Sequence, residues 1–216
     1  MKSSKMNRRE FITSIVAAVS ATVIVACGPI AGAPAPAEEP LPPGESPQPS
    51  TPGRLLKVFI VFDSVYGNTA KIAEALIDGI GIQGEAKIVK APEAAATDLE
   101  NIDLLMVGSP THGGTFTEPV KNFLNGIPNN SLQGMKAAAF DTGFSRDTQG
   151  AFIKIIIDIF GFAAPKIAKE LGAKGAVVIA AETFRVVDTE GPLEDGEIDR
   201  ARKWAGELIS KIINGG

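Results

Sequence analysis

The sequence predicts an α/β fold: a doubly wound, five-stranded parallel sheet in the order 2-1-3-4-5, with helices on both faces. Three observations predict it. From Arg54 onward, apolar β-branched runs alternate with segments of helical period, and strands each followed by a helix pair in parallel through crossovers. The strands are apolar nearly throughout, as in a sheet buried on both faces. Five such runs with right-handed crossovers suit that order, which places a ligand at the carboxyl ends of strands one, three and four.

The elements follow in turn. Residues 55–62 are an apolar strand, and 68–80 carry apolar positions at helical spacing. Residues 86–89 form a shorter strand and 102–108 the third. Residues 118–124 are a helix closed before Pro128, and 136–140 the fourth strand. Residues 149–171 read as a long helical region, apolar nearly all round. Gly161 and Pro165 divide it in two, with Pro165 in the first turn of the second segment. It reads as core and sheet cover, or as an exposed apolar patch for a partner or a quinone. Residues 175–181 are the last strand and 197–213 the last helix.

Two segments precede this domain. Residues 1–27, "MKSSKMNRREFITSIVAAVSATVIVAC", have a basic start, an apolar stretch short for a membrane span, and a cysteine after small residues. That is the layout of an export signal. Arg8-Arg9 followed by Phe11 resembles the twin-arginine motif, with Asn7 where Ser or Thr is preferred. "IVAC", ending at Cys27, resembles a lipobox, which implies lipidation of that cysteine and a membrane-anchored, extracytoplasmic lipoprotein. The alternative is an uncleaved N-terminal anchor. Residues 28–53, "GPIAGAPAPAEEPLPPGESPQPSTPG", cannot bury enough apolar area to offset the entropy of ordering. They read as a disordered tether spanning about 3 Å per residue where polyproline-like.

Composition narrows the chemistry. A formal net charge of −4 gives no basic footprint for nucleic acid. One cysteine and one histidine exclude an intrachain disulfide, a four-cysteine iron–sulfur cluster and a multi-histidine metal site. Redox chemistry here therefore requires an organic cofactor.

The informative stretch is the turn Ser64-Val65-Tyr66-Gly67-Asn68-Thr69, between the first strand and the first helix. Free N–H groups and the helix dipole at such a junction favour an anion. Ser64, Asn68 and Thr69 add polar side chains, Gly67 permits the tight curve, and no Lys or Arg is required. A capped turn with Ser64 or Asn68 as N-cap, binding nothing, fits the same residues. "GIGIQG", residues 79–84, matches a dinucleotide fingerprint only as letters, because a helix precedes it and a strand follows. A response regulator requires an acidic residue ending the third strand, and that strand runs into "VGSPTHGG". "EDGEID", residues 194–199, has the wrong spacing for a calcium loop and reads as a helix start.

"VFDSVYGNTAKIAEAL" resembles the flavodoxin fingerprint, "GSPTHGGTF" its second flavin loop and "FDTGFS" its third. "ETFRVVDTEGPLEDGEIDRARKWAGEL" is similar to the end of small flavodoxins from anaerobes. The resemblance covers residues 54–216. It implies FMN as cofactor, its phosphate in the turn Ser64–Thr69. Pro110, Thr111, His112, Gly113 and Gly114 would lie against the isoalloxazine, and Asp141, Thr142, Gly143, Phe144 and Ser145 at its pyrimidine edge. Gly113 is the candidate for the peptide flip that meets N5 of the one-electron-reduced flavin. His112 stands where an inner tryptophan often stacks, and Phe144 is the nearest substitute for the outer tyrosine. Each residue has a plainer role available: a solvated loop for His112, a surface position for Tyr66, a helix cap for Asp141, packing for Trp204.

The resemblance implies an FMN-dependent electron carrier rather than a substrate-turning enzyme: a monomer meeting redox partner proteins, held to the membrane by an N-terminal lipid. The rivals are an NAD(P)H-dependent quinone or flavin oxidoreductase on the same fold, and a binding module without redox turnover.

Overall fold

A five-stranded sheet organises the described residues, 54–144 and 161–215, of the computed structural model. The strands are β1 Leu56–Phe62, β2 Gly84–Lys90, β3 Leu104–Pro110, β4 Lys136–Phe144 and β5 Val177–Val186. The helices are α1 Asn68–Ile80, α2 Glu118–Gly126, α3 Ala163–Ala173 and α4 Glu197–Asn214. Every pairing is parallel and the order is β2-β1-β3-β4-β5, as expected from the sequence.

Alternation along each strand divides two cores. Val58, Ile60 and Phe62 of β1 join Ile72, Leu76, Ala201, Ala205 and Ile209 of α1 and α4 on one face. Phe59 and Val61 join Val120, Phe123, Leu124, Ile167 and Leu171 of α2 and α3 on the other. A fully buried Val, Leu, Ile or Phe contributes about 1.5–3 kcal/mol, so these two layers dominate stability. Ala137, Ala138 and Ala139 of β4 are fully buried. The small side chains of Ala137 and Ala139 leave room for α3 to settle on one face of the sheet, and Ala138 faces the core under α1 and α4. Trp204 is a packing residue: its ring meets Phe184 edge-on at 5.9 Å.

The ends of the strands differ from expectation. β2 begins at Gly84 rather than 86, β3 runs Leu104–Pro110 rather than 102–108, β4 continues to Phe144 rather than stopping at 140, and β5 runs Val177–Val186 rather than 175–181. Asp141 and Glu182 look like strand terminators in sequence. In the sheet, Asp141 pairs in register with Ser109 and Thr183, and Glu182 forms an ion pair with Arg200 of α4. Asp141, Thr142, Gly143 and Phe144, expected as a loop, are therefore the last four residues of β4.

"GIGIQG" is the end of α1, a 3-10 turn at Gly81–Gln83 and the start of β2, as its flanks predicted. Pro165 lies in the first turn of α3, while the helical segment expected over 149–160 lies outside the described residues. So do Arg8, Arg9, Cys27, the tether and Ser145. Among the described residues no helix is long and apolar enough to cross a membrane.

Candidate functional site

The carboxyl ends of β1, β3, β4 and β5 converge on an open cleft. Its walls are Tyr66, Asn68, Thr69, Pro110, Thr111, His112, Gly113, Thr142, Gly143, Phe144, Val186 and Thr189. Ten of these twelve are candidates from the sequence. Ser64, Val65, Gly67 and Gly114 lie in the same two turns without lining the cleft.

The first turn leaves β1 at Asp63, whose N–H is bonded to Gly108 O at 3.1 Å. Gly67 is the N-cap of α1 at φ 83°, ψ −9°, a left-handed conformation that favours glycine. It makes no side-chain cap. Instead Ser64 Oγ accepts from Ala70 N at 3.2 Å. The N–H groups of Ser64 through Thr69 find no acceptor among the described residues. Six successive free donors at a helix head form an anion cradle.

The side chains expected to help are partly committed elsewhere. Asn68 Nδ2 donates to Glu190 O at 3.0 Å, and Thr69 Oγ1 pairs with Thr142 Oγ1 at 2.8 Å. An anion here relies chiefly on backbone donors.

The second turn follows β3. His112 N donates to Thr115 O at 2.9 Å and Thr115 N to His112 O at 3.0 Å, closing a two-residue turn. Its central residues Gly113 and Gly114 stand at φ 56° and 76°, the left-handed pair such a turn demands. The His112 and Tyr66 rings stack at 6.3 Å and 29°, bringing the two turns together.

Asp141 takes the plainer role. It is fully buried, its Oδ2 accepting from Thr111 Oγ1 at 2.6 Å and Ala164 N at 3.0 Å. It caps α3, and its side chain does not line the cleft. Burial pushes its carboxyl above the usual range, held back in part by the bonds from Thr111 and the α3 amides.

Val186 and Thr189 were missed by sequence reasoning. They come from the end of β5 and the turn beyond it. That turn folds back on itself, Val187 N bonding Pro192 O at 2.9 Å and Gly191 N bonding Asp188 O at 3.0 Å. Gly191 packs on Asn68 so closely that a Cβ would lie 2.5 Å from its Nδ2. The turn glycine was the available signal. Below it, Glu197 Oε2 accepts from Arg185 N at 2.7 Å and from Arg200, which lies 4.5 Å from the Phe184 ring centre. "EDGEID" is thus a helix start, with Gly196 as N-cap and Glu197 holding β5.

These features define a doubly wound α/β protein with a turn of free N–H donors beside a partly apolar cleft at the switch point of the sheet. Residues 60–207 match the flavodoxin family model, and the chain belongs to the flavodoxin family. It is 30% identical over 136 residues to a flavodoxin of Aquifex aeolicus, covering 56% of this chain and 74% of that one. It is 36% identical over 91 residues to a protein of Nostoc sp. described as a diflavin flavoprotein, covering 38% of this chain and 16% of that one. The chain thus spans a small part of the Nostoc protein. A solved flavodoxin from the domain Archaea superposes with a TM-score of 0.55 at 20% identity, over 73% of this chain and 99% of that one.

Proposed function

We propose that this domain binds FMN and carries electrons between protein partners without turning over a substrate of its own. One observation carries the reading: the six free N–H donors of Ser64–Thr69 lie beside an open cleft at the sheet's switch point. The residues present fit the cofactor. The cradle takes a dianionic phosphate without a cation, and Pro110–Gly114 with Thr142–Phe144 offer backbone to a planar ring. Bound FMN supplies the electron-transfer chemistry. Ser64–Thr69 would hold the phosphate, and the loop after β3 with the end of β4 would hold the ring.

The test is a reductive titration of reconstituted protein under anaerobic conditions. Reduction is expected to proceed in two one-electron stages. Gly113→Val is expected to lower the yield of the one-electron-reduced form. Gly113 stands at φ 56° with nothing within 4 Å of an added Cβ, so the variant acts through backbone strain rather than a clash. A single two-electron stage, with steady NADPH oxidation by a quinone, would assign the oxidoreductase activity instead.

The proposal places this carrier outside the cytoplasm, tethered through Cys27. Its support is the sequence of residues 1–53 alone. FMN is held noncovalently, so a domain threaded out unfolded would arrive empty, and the twin-arginine route carries folded proteins. Changing Arg8-Arg9 to Lys-Lys is expected to block export although charge is kept. Cys27→Ser is expected to abolish fatty-acid labelling while FMN binding persists. Several acyl chains would anchor firmly where one does so only marginally. Absence of label on the wild type, or a mature N-terminus elsewhere than Cys27, would replace the lipoprotein with a plain anchor or a cleaved signal.

A further inference from the structure

Among the described residues, Asp141 is the one buried carboxylate beside the cleft, and FMN binding itself assigns it no task. Its Oδ1 is buried with no hydrogen-bond partner among the described residues. Its Oδ2 gathers Thr111 Oγ1 at 2.6 Å and Ala164 N at 3.0 Å. Thr111 Oγ1 in turn accepts from Ala163 N at 2.9 Å, which directs its own hydrogen to Asp141. Thr111 N also donates to Thr142 O at 2.8 Å. The residue preceding α3, Phe162, supplies no side-chain cap. Two groups from one strand end and one loop therefore hold the first two amides of α3. Thr111 lines the cleft, so the carboxylate is one side chain removed from it.

We propose that Asp141 is a positioning residue for the flavin: through Thr111 it fastens the loop Thr111–Gly114 to the head of α3, and its negative charge opposes electron uptake by the ring. This rests on the FMN-binding reading above. A fixed anion in a dry site is weakly screened, and an electron added nearby is disfavoured. Few described groups compete. Ser109 on β3 and Thr183 on β5 are its neutral register partners, and the first turn of α3 carries no acidic residue. The charged or titratable groups nearest along those elements are Glu182, ion-paired with Arg200, and Arg185 on β5, Lys166 on α3 and His112 on the loop. None of them forms an ion pair with Asp141. Burial raises the carboxyl's pKa, so its charge develops late as pH rises.

The test compares three variants in the full chain, with wild type as control for the underlying reading. Asp141→Asn keeps an acceptor for Thr111 and Ala164 but removes the charge. Its equilibrium for full, two-electron reduction is expected to exceed that of the wild type by about tenfold at high pH, about 30 mV for the two-electron couple. The gap should shrink as pH falls and the wild-type carboxyl becomes neutral, while the flavin's own titrations are common to both. Thr111→Val keeps the charge and removes the tie. It should weaken FMN binding at least threefold and speed exchange of the Ala163 amide at least tenfold in protein without flavin. Thr111→Ser, retaining the hydroxyl, should restore both. The exchange measurement needs no flavin and stands if Asp141→Asn folds poorly. If Asp141→Asn and wild type have equal potentials from pH 5 to pH 9, the charge effect is wrong. If Ala163 exchange is unmoved in Thr111→Val, the tie is wrong. Failure of the wild type itself to bind FMN would instead overturn the FMN reading.

Discussion

Riboflavin is expected to bind this domain about a thousandfold more weakly than FMN, and Gly67→Val to weaken FMN binding at least tenfold. Hydrogen bonds to a charged group each contribute about 1.5–3 kcal/mol. Three phosphate contacts from the turn Ser64–Thr69 therefore amount to about 4.5 kcal/mol at the low end, or about three decades in affinity. Gly67 shapes those donors. Nothing lies within 4 Å of an added Cβ, so valine meets no neighbour. Its cost is conformational. At φ 83° an L-residue is disfavoured by about 1–2 kcal/mol, and β-branching adds to that. The turn relaxes by rotating the peptides on either side of Gly67, which carries their N–H groups off the phosphate. Quenching of flavin fluorescence on titration measures both. Equal affinity for riboflavin and FMN would remove the phosphate from this turn. Thr69→Ala is a blunter probe, because Thr69 Oγ1 is bonded to Thr142 Oγ1, and the variant disturbs the ring side of the cleft as well.

The first half of the site was legible for a local reason. An apolar run ends at Asp63, a glycine stands where the chain must turn left-handed, and a helix pattern starts at once. Nothing distant is needed to see a helix head with free donors. The second turn was legible for the same reason, since His112-Gly113-Gly114-Thr115 closes on itself. The far side was not. Asp141 and Glu182 interrupt apolar runs, and only Thr111 and α3 for the first and α4 for the second give those carboxylates partners that let the chain stay extended. The lengthened β5 is what brings Val186 and Thr189 to the cleft. Asn68 shows the limit of reading side chains by proximity in sequence. It stands in the cradle, yet its amide is held by Glu190, 122 residues away.

Gly79→Ala is expected to destabilise the domain, against the ordinary rule for helices. Gly79 lies in the last turn of α1, where alanine is favoured over glycine by about 1 kcal/mol. In this helix the position faces α4. An added Cβ would stand 2.1 Å from Arg202 O and 2.8 Å from Arg202 Cα. These are backbone atoms, which no side-chain rotation removes. The two helices must separate, and with them Leu76, Ile80, Ala205 and Ile209, buried in the seam between helices and sheet. Overpacking of this kind costs about 1–3 kcal/mol and occasionally more. The clash outweighs the propensity gain, and each net kcal/mol lowers Tm by about 2–4 °C in a domain of this size. Gly206 on α4 is the internal control. An added Cβ there meets only Gly79 O at 3.4 Å, an ordinary contact. Gly206→Ala should therefore leave stability unchanged or raise it by up to about 1 kcal/mol. Thermal unfolding of the two variants without flavin separates packing from propensity, because propensity alone moves both in the same direction. If Gly79→Ala is as stable as Gly206→Ala, α1 and α4 do not meet backbone to backbone.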